Sequence, residues 1–168
     1  MAQAILLIGG NLGDRLKYLE LAEELISERI GPIELKSPIY ESEPWGFNHQ
    51  QNFLNRALSV RAMRSPLEVL DAIGGIENDL GRVRLGNGYS ARTQDIDIIF
   101  YDQHVMLTPR LTIPHKLLHE RLFVLKPLAD IIPDFIHPLF GVTVNELLAV
   151  CPDRSSAWLY QPQKKKAE

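Results

Sequence analysis

The sequence of 168 residues lacks the features that mark secreted, membrane-bound or disulfide-stapled proteins. Its single cysteine, Cys151, excludes an internal disulfide and favours a reducing compartment. No apolar run approaches the roughly 20 residues of a transmembrane helix, and no basic leader precedes a long apolar stretch at the N-terminus. We therefore expect a cytoplasmic globular protein that does not contact a membrane.

An excess of one charge is also missing. Lysine and arginine together number 18 against 21 aspartates and glutamates, which gives a formal net charge of −3. This balance creates no strong field, so we expect no nucleic-acid partner. The length predicts one domain over residues 1–160, followed by a flexible basic tail over residues 161–168.

Three common site signatures are absent as well. The sequence has no Cys/His set at zinc spacing, no G-x-x-x-x-G-K-[ST] segment and no protein-kinase motif set. These absences argue against a zinc site, a P-loop nucleotide site and a protein kinase.

The apolar patterns that are present predict alternating strands and helices. Residues 3–8 form a short apolar run that predicts a buried strand, and the period of residues 12–29 predicts a helix with Glu23 outside its apolar face. The segments "IELKSPIYESE" and "FLNRALSVRA" predict a second and a third strand.

The second half of the chain adds a strong helix start and a further strand. Ser65, Pro66 and Glu68 form a capping box that predicts the start of the second helix, and a strand follows near residue 95. The order β-α-β-β-α-β predicts an α+β fold with a ferredoxin-like core. A short hairpin and two C-terminal helices, over about 116–131 and from Thr143, are expected to follow it.

Two carboxylates stand at the start of this last core strand, in the segment "RTQDIDIIFYD". Residues i and i+2 of a strand lie about 6.5 Å apart on one face, so Asp95 and Asp97 share a face. Ile96, Ile98 and Phe100 are expected on the other face. Two carboxylates at this spacing suit Mg²⁺, which prefers oxygen ligands and keeps room for substrate phosphates. The alternative is an edge strand whose acids simply contact water.

Cationic residues on both sides of the two aspartates favour the first interpretation. They are Arg82, Arg84, Arg92, Arg110, His115, Lys116 and Arg121. Metal-binding acids surrounded by guanidinium groups are what a polyphosphate requires. The glycine-rich "GGNLGD" at residues 9–14 could also favour an anion, but a tight strand-to-helix turn is the simpler interpretation.

A second cluster, residues 40–55, combines aromatic and amide side chains. Such a mixture suits a flat heteroaromatic ring, which is bound by stacking and a few hydrogen bonds. Asn55 lies inside an otherwise apolar strand, where a buried amide requires partners. Phe53 and Phe123 are candidate stacking walls, with core packing as the alternative.

Taken together, these motifs resemble the 6-hydroxymethyl-7,8-dihydropterin pyrophosphokinase (HPPK) family over nearly all of residues 4–150. The segments that carry the resemblance are "IGGNLGDR", "YESEPWG", "NFLN", "LGRVR", "ARTQDIDIIFYD", "LTIPH" and "HERLFVLKPLADIIPD". The resemblance implies a ferredoxin-like α+β domain with extra helices. It also implies transfer of pyrophosphate from ATP to the hydroxymethyl group of a pterin, with two Mg²⁺ ions and release of AMP.

The resemblance further implies roles for individual residues. Asp95 and Asp97 would hold the metals, and Asp95 would also lie close to the accepting hydroxyl. The catalytic set would be completed by Arg82, Arg92 and His115. ATP would be contacted by Glu77, Arg82, Arg84, Arg92, Ile98, Arg110, Thr112, His115 and Arg121. The pterin would be contacted by Ser42, Pro44, Trp45, Phe53, Asn55, Asp95 and Phe123.

Other functions stay open at this point. A kinase that moves only the γ-phosphate would need the same charges, and a non-catalytic module could bind a pterin or a magnesium nucleotide. An RNA-binding sheet is disfavoured by the net charge. We expect a monomer whose partners are small molecules.

The chain also departs from the family pattern at Gln94, where a leucine is common, and at residues 89–91.

Overall fold

The computed structural model describes residues 1–44, 51–81 and 94–162. In this part of the chain, an antiparallel sheet has helices packed on both faces, which is the mixed α+β class that the sequence predicts. The elements are β1 (Ala2–Gly10), α1 (Arg15–Arg29), β2 (Ile33–Lys36), β3 (Tyr40–Ser42), β4 (Phe53–Ala62), α2 (Pro66–Asp79), β5 (Asp95–Tyr101), β6 (Met106–Leu107), β7 (Thr112–Ile113), a 3-10 turn (Leu118–Glu120), α3 (Leu122–Ile131), α4 (Val144–Ala149) and β8 (Ala157–Leu159).

The main sheet has six strands, five of which follow the order β5-β1-β4-β3-β8, while β2 also pairs with β4. Each pair is antiparallel. The central pair β1–β4 runs in register over nine residues of each strand, from Ala2 opposite Ala62 to Gly10 opposite Leu54. Because β1 also pairs with β5, it brings residues of β4 and β5 close to each other.

Two apolar clusters cover the two faces of this sheet. Alternate residues of β1 divide between them, as the period of a strand requires. Leu6 packs in the cluster that includes Leu19 of α1 and Ile73 of α2. Leu7 packs in the second cluster, which includes Leu125 of α3 and residues of α4. The sheet therefore has an α1/α2 face and an α3/α4 face.

Both predicted capping boxes are present. The Ser65 side chain accepts a hydrogen bond from the backbone N–H of Glu68, whose carboxylate accepts from the Ser65 backbone. Thr143 and Glu146 make the same pair of contacts at the start of α4. The predicted third strand and C-terminal hairpin are also confirmed, as β4 and the β6–β7 pair.

The predicted second strand is wrong in one respect, since it divides into β2 and β3. Pro38 lacks the N–H that a continuous ladder needs, so it interrupts the strand. The hydroxyl of Ser37 accepts the Ala57 N–H at 2.9 Å and satisfies the donor that the break would leave unpaired. The chain then resumes pairing with β4 at Tyr40.

Further differences concern single residues and the C-terminus. Strict alternation along β5 predicts Phe100 on the same face as Ile98, and this prediction is wrong. A bulge in the β1–β5 pair places Phe100 in the α3/α4 cluster together with Ile99. Glu23, which the sequence predicts outside the apolar face of α1, is buried. Arg56 and Lys36 each lie 3.3 Å from its carboxylate and neutralise its charge there. Strand β8 was not predicted.

The third predicted helix begins later than expected, at Leu122, and a separate 3-10 turn precedes it. No helix among the described residues is long and apolar enough to cross a membrane. The last six residues of the predicted basic tail, 163–168, lie outside the described residues.

Candidate active site

The two aspartates lie on β5, at one edge of the sheet. Asp95 is directly opposite Gly9 on β1, and Asp97 is opposite Leu7. Directly opposed residues of antiparallel strands share a face, and Leu7 packs in the α3/α4 cluster. Both carboxylates therefore lie on the α3/α4 face, and both are half-buried. The predicted sharing of one face is confirmed for this pair.

A row of four residues crosses the sheet at this level, and we call it the cross-sheet row. Tyr40 of β3 lies opposite Asn55 of β4, Asn55 lies opposite Gly9 of β1, and Gly9 lies opposite Asp95 of β5. Adjacent strands lie about 4.8 Å apart, so Asn55 and Asp95 are separated by about 10 Å of sheet. The row joins the candidate ring-binding residues to the candidate metal-binding residues.

The Asn55 side chain occupies space above Gly9. A Cβ atom built on Gly9 would lie 2.0 Å from Oδ1 of Asn55 and 2.6 Å from the carbonyl oxygen of Leu54. Asn55 is 6% exposed, so its amide is set into the sheet rather than extended into solvent. The sequence predicts Gly9 only as part of a tight strand-to-helix turn. Its contact with Asn55 depends on strand register, which no local motif reveals.

The candidate stacking residues lie on the same face of the sheet. Phe53 is two residues before Asn55 on β4 and is half-buried, and it lies opposite the buried Ser42 of β3. Phe123 lies in the first turn of α3, packs against the α3/α4 cluster and is half-buried. Pro44 follows β3 and is also half-buried.

Helix α3 is joined to the sheet beside Asn55. The hydroxyl of Tyr40 donates to Oδ2 of Asp130 at 2.5 Å. Burial, and then the hydrogen bond and charge of Asp130, raise the pKa of Tyr40 above its ordinary value, so the hydroxyl keeps its proton. This bond ties the helix that carries Phe123 to the row that carries Asn55. The aromatic and amide pattern of residues 40–55 does not predict this bond, because its acceptor lies 90 residues further along the chain.

His115 lies close enough to Asp95 for the Asp95 carboxylate to influence its pKa. Its backbone N–H donates to the Ile99 carbonyl at 3.0 Å, and its Nδ1 accepts the Leu117 N–H at 3.3 Å. Since Nδ1 is an acceptor, the neutral ring carries its proton on Nε2. Burial, and then the charge of Arg121, lower the pKa of His115 below its ordinary value, although the Asp95 carboxylate opposes them. His115 can therefore donate from Nε2 as a neutral group.

The remaining candidate nucleotide-binding residues are spread along one side of the sheet. Arg110 is exposed and forms a 2.5 Å ion pair with Asp71 of α2. Glu77 is buried and accepts the Ile96 N–H at 3.1 Å. The Ile98 side chain is in the core, so only its backbone is available to a ligand. Thr112 lies on β7, half-buried.

Arg121 stands at the junction of the two candidate sites. Its guanidinium carbon lies 5.7 Å from the centre of the Phe123 ring. It also lies close enough to His115 for its charge to lower the pKa of that residue. Four other candidates, Trp45, Arg82, Arg84 and Arg92, lie outside the described residues.

The metal-binding potential of the site rests on the two β5 carboxylates. Within residues 1–44, 51–81 and 94–162, no group of three or more His, Cys, Asp or Glu side chains could hold a metal ion. Two oxygen donors on one face suit Mg²⁺ that brings further oxygen ligands from a polyphosphate and water. The donor set therefore fits a metal that binds together with a nucleotide.

Comparisons with known proteins agree with this chemistry. A model of the 7,8-dihydro-6-hydroxymethylpterin-pyrophosphokinase family matches residues 5–133. A protein of Porphyromonas gingivalis named 2-amino-4-hydroxy-6-hydroxymethyldihydropteridine pyrophosphokinase is 38% identical over 141 residues, which cover 82% of this chain and 95% of the relative. A Bacillus subtilis protein of the same name is 40% identical over 129 residues, which cover 76% and 77%.

Solved structures share the fold. The Plasmodium falciparum HPPK-DHPS wild type with SDX-DHP matches with a TM-score of 0.73 and 18% identity, over 89% of this chain. An HPPK-DHPS in complex with substrates matches with a TM-score of 0.71 over 88% of this chain. The chain spans 43% and 42% of these longer proteins, so the likeness concerns one part of each.

Proposed function

We propose residue roles for this chain, which belongs to the 7,8-dihydro-6-hydroxymethylpterin-pyrophosphokinase family. It is a 2-amino-4-hydroxy-6-hydroxymethyldihydropteridine pyrophosphokinase of folate biosynthesis. Its reaction transfers the pyrophosphoryl group of ATP to the hydroxymethyl group of the dihydropterin and releases AMP. In our proposal the two substrates bind on one face of the sheet, which is supported by the position of Asn55, Asp95 and Asp97 on that face.

The core that carries the site belongs, in our proposal, to the ferredoxin-like class. Supporting this, β1 to β5 with α1 and α2 follow the β-α-β-β-α-β order once β2 and β3 are counted as one interrupted strand. We also propose that residues 1–160 form a single domain. In its support, β8 near the C-terminus pairs with β3 in the same sheet as β1.

The cross-sheet row is the observation that carries the site assignment. The pterin ring lies between Phe53 and Phe123, and the Asn55 amide recognises its polar edge. Gly9 separates Asn55 from Asp95 without adding a side chain. A ring held at Asn55 thereby directs its hydroxymethyl arm along the row toward Asp95. Ser42, Pro44 and Trp45 complete this pterin pocket.

The chemical step forms one bond and breaks one. The hydroxymethyl oxygen attacks the β-phosphorus of ATP, and the bond from that phosphorus to the oxygen bridging the α- and β-phosphates breaks. AMP leaves with the bridging oxygen. Asp95 lies nearest to the accepting alcohol and takes up its proton. The protein contributes mainly by holding the reactants in line, because little covalent chemistry is required of it.

Asp95 and Asp97 would hold two Mg²⁺ ions together with the triphosphate. Bound magnesium would neutralise charge that develops on the transferring group. The carboxylates are half-buried on one face, so they remain accessible to a metal that arrives with the nucleotide.

The nucleotide is bound by cationic and edge-strand groups. His115 donates from Nε2 to a phosphate oxygen, and Arg121 and Arg110 neutralise further phosphate charge. Arg82, Arg84 and Arg92 add to this set, with Arg82 and Arg92 acting in catalysis. The nucleoside is contacted by Glu77, Thr112 and the backbone of Ile98. The Ile98 backbone is available because β5 is an edge strand, whose outer backbone groups face away from β1.

Product analysis tests the proposed reaction. The chain is incubated with ATP, Mg²⁺ and 6-hydroxymethyl-7,8-dihydropterin, and the nucleotides are separated. We expect AMP to appear in equal amount to a pterin diphosphate. ADP together with a pterin monophosphate would identify a γ-phosphate kinase instead. Untouched ATP with intact binding of both ligands would identify a binding module.

A further inference from the structure

The C-terminal segment of residues 153–160, which we call the C-terminal strap, contacts both sides of the pterin pocket. It lies beyond residues 5–133, the part of the chain that matches the family model. It includes β8, which forms the outer strand of the main sheet beside β3. No motif identified in the sequence predicts a role for the strap.

The first strap contact supports the start of α3. The first N–H groups of a helix lack partners within the helix, and Arg121 at the N-cap provides no side-chain bond. Instead, Oδ2 of Asp153 accepts the Leu122 N–H at 2.9 Å. Leu122 directly precedes Phe123, so Asp153 fixes the turn that presents one stacking wall.

Asp153 is itself held as a charged acceptor. Burial acts to raise the pKa of Asp153. The hydrogen bonds from the Ser155 side chain and from the Leu122 and Ser155 backbone, together with the charge of Arg121, outweigh burial, so the pKa lies below its ordinary value. The Ser155 N–H donates to the other carboxylate oxygen at 2.8 Å. A carboxylate at a helix N-terminus is also favoured by the helix dipole.

The second strap contact joins α3 to β3. Ala157 pairs with Ser42, which belongs to the proposed pterin pocket. The carbonyl oxygen of Ala157 accepts Nζ of Lys126 at 2.5 Å. Lys126 lies one turn after Leu122 on α3, so the strap is bonded to this helix at two successive turns.

The third strap contact is with β3, and two side chains relay it to the start of β4, which carries the other stacking wall. Nε1 of Trp158 donates to Oε1 of Glu41 at 3.2 Å. Arg15 donates to the second oxygen of Glu41 at 2.8 Å and to the carbonyl of Asn52 at 2.9 Å. Asn52 directly precedes Phe53. The strap is thereby linked through two side chains to the residue beside the second aromatic wall.

We propose that the C-terminal strap is a positioning element that sets the separation of Phe53 and Phe123 and thereby the affinity for the pterin. This inference rests on the proposed function. A flat ring between two aromatic walls needs both at contact distance, roughly 3.5–4 Å on each side. When fewer molecules hold the competent spacing, the apparent affinity falls by the same fraction. The nucleotide residues on β5 and β7 make none of these strap contacts among the described residues. Arg121, which directly precedes Leu122, is the one nucleotide candidate whose charge acts on Asp153 among the described residues.

The test measures the two ligands separately by calorimetry. Pterin affinity is measured for Asp153→Ala in the presence of Mg²⁺ and α,β-methylene-ATP, whose α–β bridge cannot be cleaved. Nucleotide affinity is measured without pterin. We expect pterin binding to weaken about fivefold, the factor that corresponds to loss of a helix cap. Nucleotide binding should not weaken, because the substitution removes a negative charge near Arg121 and no proposed nucleotide contact.

Two variants separate positioning from general destabilisation. Asp153→Asn retains an oxygen acceptor for the Leu122 N–H and should restore most of the pterin affinity. Asp134→Ala removes an exposed carboxylate just after α3 and should change neither affinity. Lys126→Met, which removes the Nζ donor but keeps the apolar stem, should weaken pterin binding in the same selective way. It carries the test if Asp153→Ala does not fold.

Unchanged pterin affinity in both Asp153→Ala and Lys126→Met would overturn the inference, as would equal weakening of both ligands. Wild-type protein that binds the nucleotide but no pterin would overturn the proposed function itself.

Discussion

Asn55 lies over a backbone position that has no side chain, Gly9. A Cβ atom at residue 9 would approach Oδ1 of Asn55 to 2.0 Å and its Cγ to 2.8 Å, well inside any contact that folded proteins tolerate. The two residues are directly opposed on the central strand pair, so neither can move away without disturbing the sheet. The position of the Asn55 amide thus depends on glycine on the neighbouring strand.

Substituting Gly9→Ala should therefore displace the Asn55 amide and weaken pterin binding by at least about tenfold, which is about 1.4 kcal/mol. Calorimetry with the dihydropterin and α,β-methylene-ATP measures the change. The new methyl group would also approach the Leu54 carbonyl, so some loss of stability is expected.

Two comparisons isolate the effect on Asn55. In an Asn55→Ala background the same change at Gly9 should cost little further pterin affinity, because the group that it displaces is already gone. Gly75→Ala is the matched glycine control, since its new Cβ would meet only Arg29 Nη1 at 3.7 Å. Additive losses at the two positions would show that Gly9 acts on the pocket by another route.

Asp97→Asn should abolish most turnover while the protein stays folded. The substitution keeps the size of the side chain but removes one anionic oxygen ligand from the proposed magnesium pair, where the ligand charge stabilises the bound ion. We expect AMP formation to fall by about a hundredfold or more, and the Mg²⁺ concentration for half-maximal rate to rise.

The control for this loss is Asp79→Asn. Asp79 is a carboxylate at the end of α2 that pairs with Arg29 at the end of α1, and it belongs to neither the proposed metal site nor the proposed substrate sites. Its substitution should leave AMP formation unchanged. Normal turnover and normal magnesium dependence in Asp97→Asn would contradict the assignment of the metal site to β5.

The sequence predicts elements whose information is local. Both capping boxes are confirmed, because each depends on residues three positions apart. Strand β4 is predicted to its end residues, and the shared face of Asp95 and Asp97 follows from the period of a strand. The family follows from motifs that this chain and its relatives share.

What the sequence does not predict depends on pairing between distant segments. Pro38 divides a strand, and the bulge near Ile99 moves Phe100 to the other face, because both results require knowing the partner strand. Strand β8 has only three residues and becomes a strand by pairing with β3. The expected monomer stays a prediction.

Gln94→Leu should stabilise the protein. Gln94 is 1% exposed, and neither Oε1 nor Nε2 has a hydrogen-bond partner among the described residues. A buried amide without partners costs roughly 1–3 kcal/mol, and leucine of similar size removes that cost. We expect the free energy of unfolding in urea to rise by about 1 kcal/mol, with unchanged AMP formation.

Gln161→Leu serves as the control, since Gln161 is exposed and the same change there should leave the free energy of unfolding nearly unchanged. A stability loss in Gln94→Leu would mean that the amide is satisfied in solution. A selective loss of activity would mean that it serves a substrate.

The pH dependence of stability should contain a contribution from His137. This residue is 2% exposed, and its Nδ1 accepts the N–H groups of Leu139 and Phe140, both at 3.1 Å. Burial, and then the charge of His119, lower its pKa to about 4. The unfolded chain has an ordinary histidine pKa of about 6.5. Between these values the unfolded state binds more protons, so stability is retained above about pH 6.5 and falls as the pH decreases toward 4.

His137→Asn should flatten this dependence, because the asparagine Oδ1 can accept the same two N–H groups and does not titrate. Melting temperatures at pH 7, 6, 5 and 4.5 measure the slope. The exposed His104→Asn is the control and should keep the wild-type slope. If His137→Asn retains the full decrease between pH 6.5 and 4, then protonation of other groups accounts for it, because residue 137 can no longer gain a proton.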